Sequence, residues 1–296
     1  MQTIGIDIGY GDTKVATKEK TFKFQTAIEK VKEYFTDTED EDKDVFIFNG
    51  KKHRVGKNAL DNALNTRGFN FLEKYSPLLL FKAVSDAGFD LDKPILVKTG
   101  LSLINWKDKE KYADALKNTV ANNKALDITV KLMAQGEGIL YDYKNDKNGI
   151  VCVVDIGYNT FDFLAFENGK PRPDLSFAVE KGVNIIITDL QTKLQKKYDY
   201  GISEQAIKEI FNNGYFMNFG NKIDLSDEIE DSKADYTTTI MDELKTMRRD
   251  LLRKANKVIF GGGGAYFIDN NMKLPENVVL SDKPYEFANA RGYYNG

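Results

Sequence analysis

Short apolar runs of strand length recur along the chain, and two of them open matched hairpins. Thr3-Ile4-Gly5-Ile6 runs into Asp7-Ile8-Gly9-Tyr10 and is answered by Thr13-Lys14-Val15-Ala16. Half a chain length later, Ile150-Val151-Cys152-Val153-Val154 runs into Asp155-Ile156-Gly157-Tyr158 and is answered by Thr160-Phe161-Asp162-Phe163-Leu164. Alternation bounded by turn residues predicts a β-hairpin in each case, with a carboxylate where the first strand ends. Such an aspartate, closely followed by glycine, sets a fixed charge beside backbone N–H groups free to wrap an anion. Phosphate together with a metal ion suits that arrangement.

Between the hairpins, residues 21–75 read as short strands and charged loops. Val45–Phe48, Asn49-Gly50 and Lys51–Val55 predict a hairpin of the Asn-Gly type. The acidic run 36–44 reads as a solvated loop tip, and His53, the single histidine, as an exposed strand residue with no catalytic role. Ser76-Pro77 predicts a helix start and Gly88 its end. Residues 94–98 predict a buried strand opening into Thr99-Gly100-Leu101-Ser102, followed by a helix over about 106–122, where Trp106 packs. A further strand at 128–133 runs through Ala134-Gln135-Gly136 into a short helix. Gln135 thus lies at a strand-to-helix junction, from which side chains project into the cleft beyond a sheet edge.

In the second half, Val183, Ile186, Ile187, Leu190 and Leu194 keep helical spacing. Residues 199–235 read as a smaller insertion with a helix near 203–212. Ile240, Leu244, Met247, Leu251 and Ala255 form one core-facing stripe, leaving Lys245, Arg248, Arg249 and Arg253 on the surface. The strand Lys257-Val258-Ile259-Phe260 feeds Gly261-Gly262-Gly263-Gly264-Ala265, where the backbone must approach something flat or bulky closely. A strand at 277–280 and a helix at 285–292 follow. No linker rich in Pro, Gly or Ser separates the halves, so hinges across a cleft are expected to join them.

Composition narrows the function. With 42 basic and 45 acidic residues the net charge is −3, which lacks the electrostatics of a dedicated nucleic-acid binder. Any link to DNA is expected to run through a partner. The single cysteine, Cys152, lies inside an apolar run, excluding an intrachain disulfide and a cysteine-built zinc site. No apolar run reaches the length that spans a bilayer, and a cytoplasmic location is expected.

Two strand-Asp-Gly hairpins half a chain apart, followed by a strand and a glycine cluster, resemble the actin, sugar-kinase and heat-shock ATPase superfamily. The closer resemblance is to plasmid-segregation actin-like ATPases of the ParM or StbA family, with related archaeal and phage proteins. It rests on Gly5-Ile6-Asp7-Ile8-Gly9, Val55-Gly56 with Ala59, Gly100-Leu101-Ser102, Ala134-Gln135-Gly136, Asp155-Ile156-Gly157-Tyr158-Asn159-Thr160-Phe161-Asp162, the four glycines, and Ala288-Asn289-Ala290-Arg291-Gly292. Ala134 stands where many relatives carry proline.

The resemblance implies an α/β actin-like ATPase fold: two similar RNase H-like domains, each with a mixed five-stranded sheet, flanking a nucleotide cleft. Domain I would take residues 1–148 and 281–296 with an insertion at about 17–75, and domain II residues 149–280 with an insertion at about 199–235. It further implies that Gly9, Tyr10, Gly11, Asp12, Thr13 and Lys14 form a first phosphate loop and Gly157, Tyr158, Asn159 and Thr160 a second. Asp7 and Asp155 would hold Mg²⁺ through water, Gln135 would orient the attacking water, and Asp155 would accept its proton. Gly261, Gly262, Gly263 and Gly264 would lie against adenosine, with Gly182 making room nearby. The nucleotide would be ATP or GTP, and the partners a second copy in a head-to-tail filament and a DNA-binding adaptor at a centromere-like site, with neither direct nucleic-acid nor membrane binding. A non-segregating bacterial, archaeal or phage actin-like cytoskeletal protein is the first alternative, and the second, ranked below it, is a small-molecule kinase of the same superfamily. The kinase needs an acidic base near Gly100-Leu101-Ser102, where only Asp108 is available. Lys14 and Asp162 stand at matching places after Asp7 and Asp155, which assigns Asp162 to metal and water.

Overall fold

The computed structural model describes residues 1–31, 44–66, 68–199, 201–271 and 274–296. The first half contains β1 (Gln2–Ile8), β2 (Asp12–Ala16), β3 (Thr21–Gln25), β4 (Ile28–Lys30), β5 (Val45–Phe48), β6 (Lys51–Val55), α1 (Phe69–Ala87), β7 (Ile95–Leu101), α2 (Lys109–Lys117), β8 (Val120–Ala121), β9 (Lys124–Ala125), β10 (Ile128–Ala134) and α3 (Glu137–Asp142). The second contains β11 (Ile150–Ile156), β12 (Phe161–Glu167), β13 (Lys170–Pro171), β14 (Phe177–Val179), α4 (Asn184–Tyr198), α5 (Glu204–Asn213), β15 (Tyr215–Asn218), β16 (Asn221–Asp224), α6 (Ser226–Lys254), β17 (Lys257–Gly261), α7 (Ala265–Asn271), β18 (Val278–Leu280) and α8 (Ala288–Asn295).

Each half is built on one mixed sheet. The first has the order β10-β7-β1-β2-β3, with β10, β7 and β1 parallel and β2 and β3 antiparallel to their neighbours. The second repeats the plan as β13-β12-β11-β17-β18, and β14 also pairs with β12. The second sheet therefore has six strands rather than five. Pro171 and Pro173 break the returning chain into two short strands that share one edge of β12.

Alternation along β11 divides its side chains between two cores. Cys152, Val154 and Ile156 pack with α4, α6 and α7, whereas Val151 and Val153 pack with Ile139 and Leu140 of α3. The small helix that closes the first half thus covers the second sheet. The C-terminal helix does the reverse, returning to lie on β1, β2, β7 and α3. Gly5 permits this: a Cβ there would strike the Ala290 carbonyl.

Several expectations are corrected. β3 joins the main sheet, so the inserted three-stranded sheet β4-β6-β5 begins after Gln25 rather than near residue 17. α1 starts at Phe69, not at Ser76, and carries Pro77 inside it, because buried Phe71, Leu72 and Tyr75 extend its apolar face upstream. The helix expected over 106–122 stops at Lys117, and Val120–Ala121 and Lys124–Ala125 make a small hairpin. His53 is buried against Phe48 and Tyr75, with Nδ1 3.0 Å from the Lys51 carbonyl, since strand alternation turns it inward between exposed Lys52 and half-buried Arg54. α6 bends at Arg248 (φ −141°, ψ 26°), which breaks the stripe and leaves Met247 exposed. Arg248 is a packing cation: its Nε donates to the Leu175 carbonyl at 2.9 Å and its guanidinium lies over Phe177. The acidic run at 36–43 lies outside the described residues.

Glycines set the closest approach between helices. A Cβ on Gly292 would enter the Gly138 carbonyl, and one on Gly138 the Asn289 carbonyl. Since backbone cannot yield as a side-chain tip can, Gly292→Ala is expected to cost about 2 kcal/mol or more, read as a lower denaturant midpoint in urea unfolding.

Candidate functional site

The two hairpins meet tip to tip. In each, the glycine N–H bonds across a two-residue loop, Gly9 to the Asp12 carbonyl at 3.2 Å and Gly157 to the Thr160 carbonyl at 2.9 Å. The loops touch, because a Cβ on Gly11 would contact the Tyr158 ring. Strand register then decides which charges face each other: Asp7 lies opposite Lys14, and Asp155 opposite Asp162.

Two cavities flank this junction. The smaller, of about 30 Å³, is lined by Asp7, Gly9, Tyr10, Lys14, Ser102, Gln135, Asp155, Gly157, Tyr158, Asn159, Thr160, Gly262 and Gly263, among others. The larger, of about 340 Å³, is lined by Gly11, Asp12, Lys14, Gly157, Tyr158, Gly263 and Gly264, with Val183, Ile187, Lys208, Phe211, Tyr266 and Glu286. Gln135 reaches the first through the strand-to-helix junction, its N–H bonded to the Leu101 carbonyl at 2.9 Å.

Four of the expected residues line neither cavity. The Thr13 hydroxyl is buried against that of Thr26 at 3.0 Å. Gly182 supports the second loop from behind: its N–H bonds the Asn159 carbonyl at 3.1 Å, and a Cβ would hit Tyr158. Gly261 lies against Ile139 of α3. Asp162 is also reassigned. It accepts from Ser102 Oγ at 2.7 Å and from the Leu103 N–H at 3.1 Å, so it ties the second sheet to the turn after β7.

Four contributors escaped the sequence reading. Asn289 donates from Nδ2 to Asp155 Oδ2 at 2.6 Å and accepts the Gly136 N–H at 3.0 Å, fixing the carboxylate and the junction that carries Gln135. The spacing Ala288, Ala290, Gly292 signals a close helix approach, but not a partner 134 residues away. Lys208 of α5 crosses to the first loop, reaching Asp12 Oδ1 at 2.6 Å and the Gly11 carbonyl at 2.9 Å. Tyr266 donates to Glu286 at 2.8 Å, and Lys23 pairs with the same carboxylate at 3.0 Å. No local pattern marks Lys208, Tyr266 or Glu286.

Residues 5–138 match the family of actin-like protein N-terminal domains, and residues 153–274 match the C-terminal domain of archaeal MreB-like actin homologues. The chain belongs to the actin-like proteins. Its fold is similar to that of Ta0583, an archaeal actin homolog, with a TM-score of 0.81 and 22% identity over 100% of this chain and 98% of that one. Against the ParM of a 15-stranded filament from Clostridium botulinum the TM-score is 0.78, with 22% identity over 99% and 97% of the chains. Against Ta0583 in complex with ADP it is 0.77, with 21% identity over 100% and 98%. No curated protein sequence matches the chain. The fold class read from the sequence is borne out.

The electrostatics of this actin-like protein's cleft are unbalanced. Burial, then the fields of Asp7 and Asp162, push the Asp155 carboxyl up to about 7; the Asn289 hydrogen bond and Lys14 only partly oppose them. Burial likewise raises Asp162 to about 6 against its bonds from Ser102 and Thr160. Burial works against the Lys14 ammonium, but Asp7, Asp12 and Asp155 outweigh it and hold the pKa above the ordinary lysine value. Lys14 Nζ stands 3.5 Å from Asp7 Oδ2. Among the described residues no three His, Cys, Asp or Glu side chains form a metal cage. Two carboxylates that line one cavity, Asp7 and Asp155, fit Mg²⁺, which keeps much of its water and takes few protein ligands.

A carboxyl raised from 3.8 to about 7 binds more protons folded than unfolded between those values. The stability it supplies is complete below the unfolded pKa and is lost as pH rises through the folded one. Asp155→Asn removes that loss. Its melting temperature in metal-free buffer is expected to exceed the wild-type value by about 3 °C or more at pH 8, with the gap closing towards pH 4, as followed by circular dichroism.

Proposed function

We propose that the protein is an ATPase of actin type that assembles into nucleotide-dependent filaments, most simply to segregate plasmid DNA through an adaptor. The observation that carries this reading is the convergence of Asp7, Lys14, Gln135 and Asp155 on one cavity between two matched backbone loops. The loops would cradle the phosphates through their N–H groups, with Lys14 on the β- and γ-phosphates. Asp7 and Asp155 would hold Mg²⁺, which when bound supplies charge neutralisation at the transferring phosphoryl group. Gln135 would orient the attacking water, and Asp155, with an affinity for protons near neutrality, would accept its proton. The nucleoside would occupy the adjoining 340 Å³ cavity, between Gly263-Gly264 and the apolar walls of Ile187 and Phe211.

Because the phosphates would touch loops from both halves, nucleotide would favour closure, and closure would set the surfaces offered to neighbouring subunits. Likeness to Ta0583 bound to ADP and to a ParM filament supports nucleotide binding and head-to-tail assembly. The near-balanced charge supports an adaptor rather than direct DNA contact. Asp108 does not support the kinase alternative, since it pairs with Lys111 at 2.9 Å and lines neither cavity.

Mg-ATP is expected to raise right-angle light scattering and to pellet the protein, with phosphate release. Gln135→Ala is expected to slow phosphate release by on the order of tenfold or more while assembly persists. Asp155→Ala is expected to abolish release and lengthen filament lifetime. Transfer of phosphate to a sugar without any polymer would favour the kinase instead.

A further inference from the structure

The tip of the β15–β16 hairpin carries an unforced cost. Asn218 and Asn221 are paired, so Phe219 and Gly220 form a two-residue loop, with φ of 45° and 81°. Asparagine and glycine suit both positions of such a turn; an aromatic residue in the left-handed region is strained. Phe219 is also 96% exposed, and Met217 on the same hairpin is 53% exposed. Stability and solubility both argue against this residue here, so a contact outside the subunit is the natural reason for it.

A matching recess lies at the other end of the same half. A groove of about 380 Å³ runs between the C-terminal part of α6 and the β17–β18 edge, walled by Met241, Leu252 and Val278 and rimmed by Lys245, Arg249 and Arg253. These three rim cations are exposed. The hairpin leads into the opposite charge: Asp224, Asp227, Glu228 and Asp231 are all exposed. The hairpin itself also carries exposed Lys222, so the opposite sign belongs to the first turns of α6, while the knob complements the groove in shape. The knob precedes the start of α6 at Ser226 and the groove is lined from Met241 onward, on the order of 20 Å or more along the helix at 1.5 Å per residue, too far for one subunit to satisfy both itself.

We propose that Phe219 of one copy seats in the α6 groove of the next, with the acidic start of α6 against the basic rim, as a repeating contact of the polymer. This rests on the filament reading. A knob and a groove at different places on one chain give a heterologous contact, which propagates as an open filament when its rotation does not close. The same contact gives the filament a polarity, since one end exposes a knob and the other a groove.

The test uses Phe219→Ser, which removes the knob, and Arg249→Glu with Arg253→Glu, which reverses the rim on exposed positions. Each is compared with wild type by Mg-ATP pelleting, with nucleotide binding and thermal melting as fold controls. Losing one buried phenylalanine per contact is expected to raise the critical concentration by on the order of tenfold or more, with nucleotide affinity unchanged. Mixed at concentrations where neither polymerises, the two variants retain one working knob and one working groove. They are expected to form a heterodimer and stop, as read by analytical ultracentrifugation. Wild-type assembly by Phe219→Ser, or a monomeric mixture of two folded variants, would overturn the contact and leave the filament reading standing. Failure of the wild type to polymerise with ATP or GTP would remove both.

Discussion

Carboxylates held buried in a cleft by strand pairing are the constraint on which the rest of this molecule depends. Asp7 and Asp155 come from different halves, and register adds Asp162 beside the second. Lys14 alone among the cavity-lining cations answers the first pair, so the surroundings must answer with dipoles. Asn289 supplies an amide to Asp155, and Ser102 and a backbone N–H serve Asp162. The charge that remains uncompensated makes the cleft receptive to a cation and to the anion that travels with it.

Satisfying those carboxylates also fastens the halves together. Asn289 sits on the C-terminal helix, which packs on the first sheet, yet grips an aspartate of the second, while Asp162 of the second sheet grips the turn after β7 of the first. The glycines of α3 and α8 permit the backbone contact that brings Asn289 into range. At the outer mouth, Lys208 bonds the first loop and Ser203 bonds the Leu60 carbonyl. The inner bonds belong to the cores; the outer ones start from the insertion of the second half, and Lys208 is itself buried.

The duplicated hairpin has diverged by charge. Where the first copy places Lys14 across from its aspartate, the second places Asp162, and the consequence is a division of labour. One arm brings a cation to the cavity, and the other spends its carboxylate on joining the two sheets. The second sheet's broken edge, the kink at Arg248 and its anchoring to Leu175 show the same drift away from symmetry in the packing.

The sequence by itself determined both hairpins, the parallel strands behind them, the junction bearing Gln135 and the glycine cluster. These signals are local: alternation, turn residues and a repeated tetrapeptide report on backbone conformation within a few residues. It also brought the residues of the two loops to one place, apart from Thr13, Gly182 and Gly261, whose positions differ because alternation and loop support turn them away from the cavities. Tertiary structure decided the rest. His53 faces inward through the register of its strand, and α1 begins a full two turns before its proline because an apolar face continued upstream. Asn289, Lys208, Tyr266 and Glu286 enter the site only through contacts between residues remote in the chain. A side chain's partner across such a distance is set by how sheets and helices pack, and no pattern along the chain records it.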